Sequence, residues 1–142
     1  MSEPVHHAVT SYLDSSALVK RYLVEAGTPW MQAWCDDPAQ TIAVAEIGLV
    51  EIAAAFAGKL RGAHITPTQY QGARIDLTAD ARDEYVLVTV SRTVVDEAID
   101  LTAHHRLRGY DAVHLACALA LNRALIARGL SPWCLSRPMK IS

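Results

Sequence analysis

Cys35, Cys117 and Cys134 are the only cysteines, and no CxxC spacing links them. That is too little for a zinc ribbon or a disulfide framework, and reduced thiols in a cytoplasmic protein are expected. Seven glycines and six prolines are too few for a linker-rich or low-complexity chain. Long apolar runs are missing too. Glu46 and Glu51 interrupt the stretch 42–57, and the stretch 112–121 is too short to cross a bilayer. Both suit buried helices instead. The opening Met1-Ser2-Glu3-Pro4 has neither a basic n-region nor an apolar h-region, so no secretory leader is expected. Charge of one sign is also lacking. A net charge of −2 supplies no global attraction for nucleic acid, so RNA binding would need a local basic patch or metal ions. Finally, there is no P-loop, GxGxxG, GxSxG or HExxH motif.

What remains is a chain of 142 residues, half of them apolar, enough for one domain with a real core. Val9–Leu13 reads as a strand, and a helix follows from Ser16 to Val24 with Ser15 or Ser16 as its cap. Pro29 opens a second helix carrying Trp30, Met31 and Trp34. The β-branched run Thr41–Val44 reads as a strand, Glu46–Leu60 as an Ala-rich helix, and Thr66-Pro67 as the start of a helix reaching Asp83. Tyr85–Val90 is the clearest strand, and Arg92–Leu107 and Asp111–Arg128 complete the set as helices. A strand followed by two helices, three times over, predicts an α/β fold with a parallel sheet.

Three carboxylates stand out. Asp14 falls where the first strand gives way to a helix, the edge at which open α/β sheets bind ligands. The serines after it offer caps, so Asp14 is read as spare. Glu51 lies in Leu49-Val50-Glu51-Ile52-Ala53-Ala54-Ala55-Phe56, where a charge is costly unless paired or metal-bound. Glu46 competes with it, but five helical residues turn the two apart by about 140°. Glu51 is preferred, because a first-turn Glu46 is accounted for by the helix dipole. Asp111 opens the last helix, with His114 three residues on and sharing its face. Asp111 alone reads equally as a dipole partner, and His114 as a satisfied core or surface residue. Together, three acids near the ends of separate elements suit Mg²⁺ or Mn²⁺, which prefer oxygen ligands and keep waters.

Tyr12-Leu13-Asp14-Ser15-Ser16-Ala17-Leu18-Val19-Lys20 resembles the opening motif of PIN-domain ribonucleases of the VapC toxin family. Val50-Glu51-Ile52-Ala53-Ala54-Ala55 and Tyr110-Asp111-Ala112-Val113-His114-Leu115-Ala116 resemble that family's second and third acidic motifs, in order, over about residues 9–128. The resemblance implies a PIN-like α/β/α sandwich with a central parallel sheet. It implies Asp14, Glu51 and Asp111 as metal-binding catalytic acids, Mg²⁺-dependent RNA cleavage, a homodimer, and inhibition by a VapB-type antitoxin. Ser16, Lys20 and Arg21, beside Asp14, are candidate RNA contacts, and Lys59, Arg61, Arg106 and Arg108 flank the other acids.

The chain departs from the family at its end. PIN toxins continue with a strand closing on a fourth Asp and then a helix, whereas Ser131–Ser142 has neither pattern. The expectation is a PIN domain over 1–130 and a divergent tail over 131–142, from a shifted reading frame near Pro132. One base earlier, the T that begins Trp and Cys codons becomes a middle T, which encodes apolar residues. The A that begins Met, Lys and Ile codons becomes a middle A, which encodes polar residues, acids among them. The alternative function is then a PIN fold that binds antitoxin or RNA but cuts poorly. A phosphatase or receiver-like domain is set aside, because Ser15 and Ser16 follow Asp14 where a DxD pair is needed and no acidic pair precedes the first strand.

Overall fold

The computed structural model describes residues 9–129. The expectations placed on Ser131–Ser142 (the altered last strand, the missing acid and the shifted frame) lie outside those residues. Each strand is followed by two helices. β1 (Val9–Tyr12) leads to α1 (Ser15–Tyr22) and α2 (Thr28–Asp36). β2 (Gln40–Ala45) leads to α3 (Glu46–Arg61) and α4 (Pro67–Asp83), and β3 (Val86–Val88) to α5 (Arg92–His104) and α6 (Gly109–Ala127). The strands lie parallel in the order β1-β2-β3, with Thr10 opposite Thr41 and Val44 opposite Leu87. This is the expected α/β sandwich.

The period of two along β2 divides the core. Ile42 and Val44 point to one face and meet Leu18, Met31, Ile52, Phe56 and Leu77 of α1 to α4. Ala43 and Ala45 point to the other and meet Val94 and Ala98 of α5 and Ala112, Ala116 and Ala118 of α6. Local chemistry starts the helices where the sequence indicates. Thr66 and Gln69 close a reciprocal capping box with Pro67 in the first turn of α4. The Ser91 hydroxyl accepts from the Val94 amide to begin α5.

Two elements are shorter than expected. β3 spans three residues instead of Tyr85–Val90, because β2 ends at Ala45 and leaves nothing beyond Val88 to pair with. Tyr85 lies in the connection between α4 and β3, where its amide bonds the Asp80 carbonyl, and its ring is buried in the core. α5 stops at His104, since His105 is extended and its amide closes on the Leu101 carbonyl.

Candidate active site at the ends of the strands

Asp14 follows β1 with extended backbone and is the cap of α1. Its Oδ1 accepts from the Ala17 amide at 3.0 Å and from the Ser16 hydroxyl at 3.0 Å. This corrects the reading of Asp14 as spare. The helix begins at Ser15, so the residue before it takes the capping position, and the serines are left to serve other groups. Only Oδ1 enters these bonds; the cap holds the carboxylate at the sheet edge.

Glu51 sits in the second turn of α3 and is half-buried. Its Oε1 lies 2.7 Å from Nε2 of His114, and its Oε2 accepts from the Ser15 hydroxyl at 3.1 Å. Glu46, in the first turn, is exposed and only reaches the Thr89 hydroxyl at 3.4 Å. His114 is buried, with its Nδ1 2.7 Å from the Tyr12 hydroxyl. Burial pushes the Tyr12 phenol far above its ordinary range, with Cys117, Glu51 and Asp14 adding to the rise. The Ser15 hydroxyl, next in sequence to Asp14, bonds Glu51, so the two acids belong to the same end of β1.

Asp111, in the first turn of α6, has its Oδ2 buried with no hydrogen-bond partner among the described residues. Such an orphan acceptor costs free energy unless something meets it. Among the described residues no three Asp, Glu, His or Cys side chains form a ready-made ligand cluster. The donor chemistry nevertheless fits a hard divalent cation. Mg²⁺ takes one or two carboxylates and keeps several waters, so it needs no closed protein cage.

Residues 11–130 match the PIN domain family. This chain belongs to that family. Two relatives from Mycobacterium tuberculosis, ribonuclease VapC45 (strain CDC 1551 / Oshkosh) and ribonuclease VapC49 (strain ATCC 25618 / H37Rv), are each 34% identical to it over 113 residues. The alignment covers 78% of this chain and 75% of each relative. PIN-domain nucleases generally work with divalent metal ions, the class of ion that the carboxylates of this PIN domain suit.

The basic candidates divide on inspection. Arg21 is nearly buried and spans from α1 to the end of α4. It donates to the Tyr85 hydroxyl at 2.9 Å and to Glu84 at 3.0 Å, with Asp80 at 3.4 Å. Lys20 donates to the Ala26 carbonyl and lies 3.6 Å from Glu25, whose other oxygen is 2.7 Å from Lys59. Ser16 is exposed, as are Arg106 and Arg108 in the segment leading to Asp111, and neither arginine has an ion pair among the described residues. No helix among the described residues is long and apolar enough to cross a membrane.

Sequence reasoning passed over Tyr12 and Ser15 and left His114 as a satisfied core residue. Satisfied it is, at both ring nitrogens, but one of its partners is a candidate catalytic acid. The available signal was the three-residue spacing from Asp111 to His114 on one helical face.

Proposed function

We infer that this PIN domain is the toxin of a type II toxin–antitoxin pair, an endoribonuclease that hydrolyses RNA phosphodiester bonds with a divalent cation. The family match over residues 11–130, in a chain one third identical to two proteins named ribonuclease, carries this reading. The site supports it independently, through the orphaned Oδ2 of Asp111, three residues before the His114 that bonds Glu51.

Asp14, Glu51 and Asp111 are the residues that hold the cation, Mg²⁺ or Mn²⁺. When bound, the ion neutralises phosphate charge and lowers the pKa of a water for attack on phosphorus. The chain's own part is to place oxygens. The Ala17 amide and Ser16 hydroxyl fix Asp14, His114 and Ser15 fix Glu51, and the first turn of α6 fixes Asp111. Ser16, Lys20, Arg106 and Arg108 are the RNA-contacting candidates at this edge. Arg21 serves as a strut between α1 and α4. The partners are RNA, a VapB-type antitoxin and a second copy of the chain, and the working compartment is the cytoplasm.

The test is RNA cleavage in Mg²⁺ or Mn²⁺, with mapping of new 5′ ends in cells expressing the chain with and without the product of its neighbouring gene. Asp14→Asn and Asp111→Asn keep the side-chain shape, and Asn still caps α1. Both should lose metal-dependent cleavage while remaining folded. Wild-type cleavage by either, from preparations freed of contaminating nuclease, would show that the assignment is wrong.

A further inference from the structure

Four side chains form one connected path from the last residue of β1 to the front of α1: Tyr12, His114, Glu51 and Ser15. They come from three helices and a strand, and Tyr12 and His114 are 102 positions apart. Hydrogen-bond directions along this path follow from what each group is able to do. An ionised carboxylate only accepts, so Nε2 of His114 carries a proton toward Oε1 and the Ser15 hydroxyl donates to Oε2. In a neutral imidazole the other nitrogen is then an acceptor, so the Tyr12 hydroxyl donates to Nδ1. Every polar atom on the path is used once in a consistent sense. Reversing the Tyr12–His114 bond would strip the proton from the Glu51 side.

Gly48 lies three residues before Glu51 on α3, and a Cβ there would crowd the Val44 side chain at 3.0 Å while making ordinary contact with the His114 ring at 3.6 Å. The ring is buried and pinned at both ends, so it has one orientation.

We propose that His114 is a positioning residue for Glu51: Tyr12 holds its ring in the Nε2–H tautomer, and that N–H fixes one Glu51 oxygen while Ser15 fixes the other. Glu51 therefore meets the cation at a set angle, through the lone pairs these donors leave free. The proposal rests on Glu51 being one of the metal-binding acids. Outer partners of this kind typically change metal affinity by roughly ten- to a hundredfold when lost.

Two measurements test it. The first uses the metal-free chain: ¹⁵N–¹H NMR of the His114 ring, which reads the tautomer without reference to catalysis. Protonation at Nε2 in the wild type, with the bias lost in Tyr12→Phe, is expected; a wild-type ring protonated at Nδ1 overturns the proposal. The second is Mn²⁺ titration of the folded wild type, His114→Leu, His114→Gln and Glu51→Gln. His114→Leu should weaken Mn²⁺ binding by roughly tenfold or more. His114→Gln, whose amide N–H reaches the place of Nε2, should recover most of that loss. If Glu51→Gln lowers affinity and a folded His114→Leu does not, the positioning role is wrong and the site stands. If Glu51→Gln leaves affinity unchanged, the site reading fails and this proposal with it. Should His114→Leu not fold, Tyr12→Phe decides, by the tautomer and by weaker Mn²⁺ binding.

Discussion

The two faces of the sheet are built from different materials. Toward α1 to α4 the core is bulky: Leu18, Met31, Ile42, Val44, Ile52, Phe56 and Leu77 interlock. Toward α5 and α6 it is largely alanine: Ala43 and Ala45 from the strand meet Ala98, Ala112, Ala116 and Ala118. Bulky side chains bury the most apolar area per residue and so supply most of the hydrophobic stabilisation. Small side chains contribute less but let backbones approach. On the alanine face that approach carries His114 to the end of β1, where it meets Tyr12 and Glu51. The bulky face anchors α1 and α3, which carry Ser15 and Glu51, and the alanine face brings His114 of α6 to them.

The largest expected effect separates function from both faces. Asp111→Asn changes no packing and should abolish metal-dependent cleavage with an unchanged thermal midpoint, read by an RNA assay beside calorimetry. A drop in midpoint would mean that the ionised carboxylate is a structural partner of its helix. Next comes the bulky face. Phe56 on α3 is fully buried, with its ring edge-on to that of Tyr22, so Phe56→Ala should cost roughly 3–5 kcal/mol in denaturant unfolding. The fraction still folded should retain its Mn²⁺ affinity, since Phe56 takes no part in the bonds that hold Glu51.

The alanine face should respond in the opposite way. Ala116 has no exposed surface, and Ala116→Leu forces α6 away from the sheet. The stability loss should be smaller, about 1–3 kcal/mol. Mn²⁺ affinity should fall as well, because Asp111 and His114 ride on the same helix. Equal Mn²⁺ affinity in Ala116→Leu and wild type would break the comparison between the faces. Gly48→Ala sharpens it at a single methyl group: the new Cβ crowds the Val44 side chain at 3.0 Å and makes only ordinary contact with the His114 ring at 3.6 Å. A thermal midpoint somewhat below wild type, with Mn²⁺ affinity unchanged, is expected.

The smallest effect belongs to the surface of the bulky face. Lys59 and Lys20 beside Glu25 hold its carboxyl below the ordinary range. A lowered pKa in the folded state gives stability that is present above the unfolded value and lost as pH falls through the folded one. Glu25→Gln should thus remove at most about 1 kcal/mol at neutral pH and flatten the loss of stability on acidification below the ordinary carboxylate range. Unfolding measured between pH 7 and pH 3 checks this, and an unchanged pH dependence would mean the lysine pairs are inert.

Much of this was legible from residue order. The alternation of Ile42, Ala43, Val44 and Ala45 marks a strand between two layers, and the Thr66-Pro67 start of α4 follows from capping chemistry. The choice of Glu51 over Glu46 rested on the helical angle and on Glu46 falling in the first turn, and the two side chains do diverge, one half-buried and one exposed. Asp14 was placed at the right edge but given the wrong local role. Which of three adjacent polar residues caps a helix depends on where the backbone turns, and that point is fixed by the end of β1 pairing at Tyr12. The reach of β3 was overestimated for a similar reason: Thr89 and Val90 have strand propensity, but β2 ends at Ala45 and offers them no partner.

The sequence by itself determined the element types, the division of β2 between two faces, and the positions of Asp14 and Asp111 at the starts of helices. These depend on periods of two and of 3.6 residues and on capping, all of which act within a few positions along the chain. Tertiary structure alone decided what Glu51 and His114 touch. Tyr12 and His114 are 102 positions apart, Ser15 and Glu51 36, and Glu51 and His114 63. No local period relates residues at such separations. They meet because the parallel strands end at one edge and because an alanine face lets α6 come close enough for a buried ring to bridge a strand and a helix.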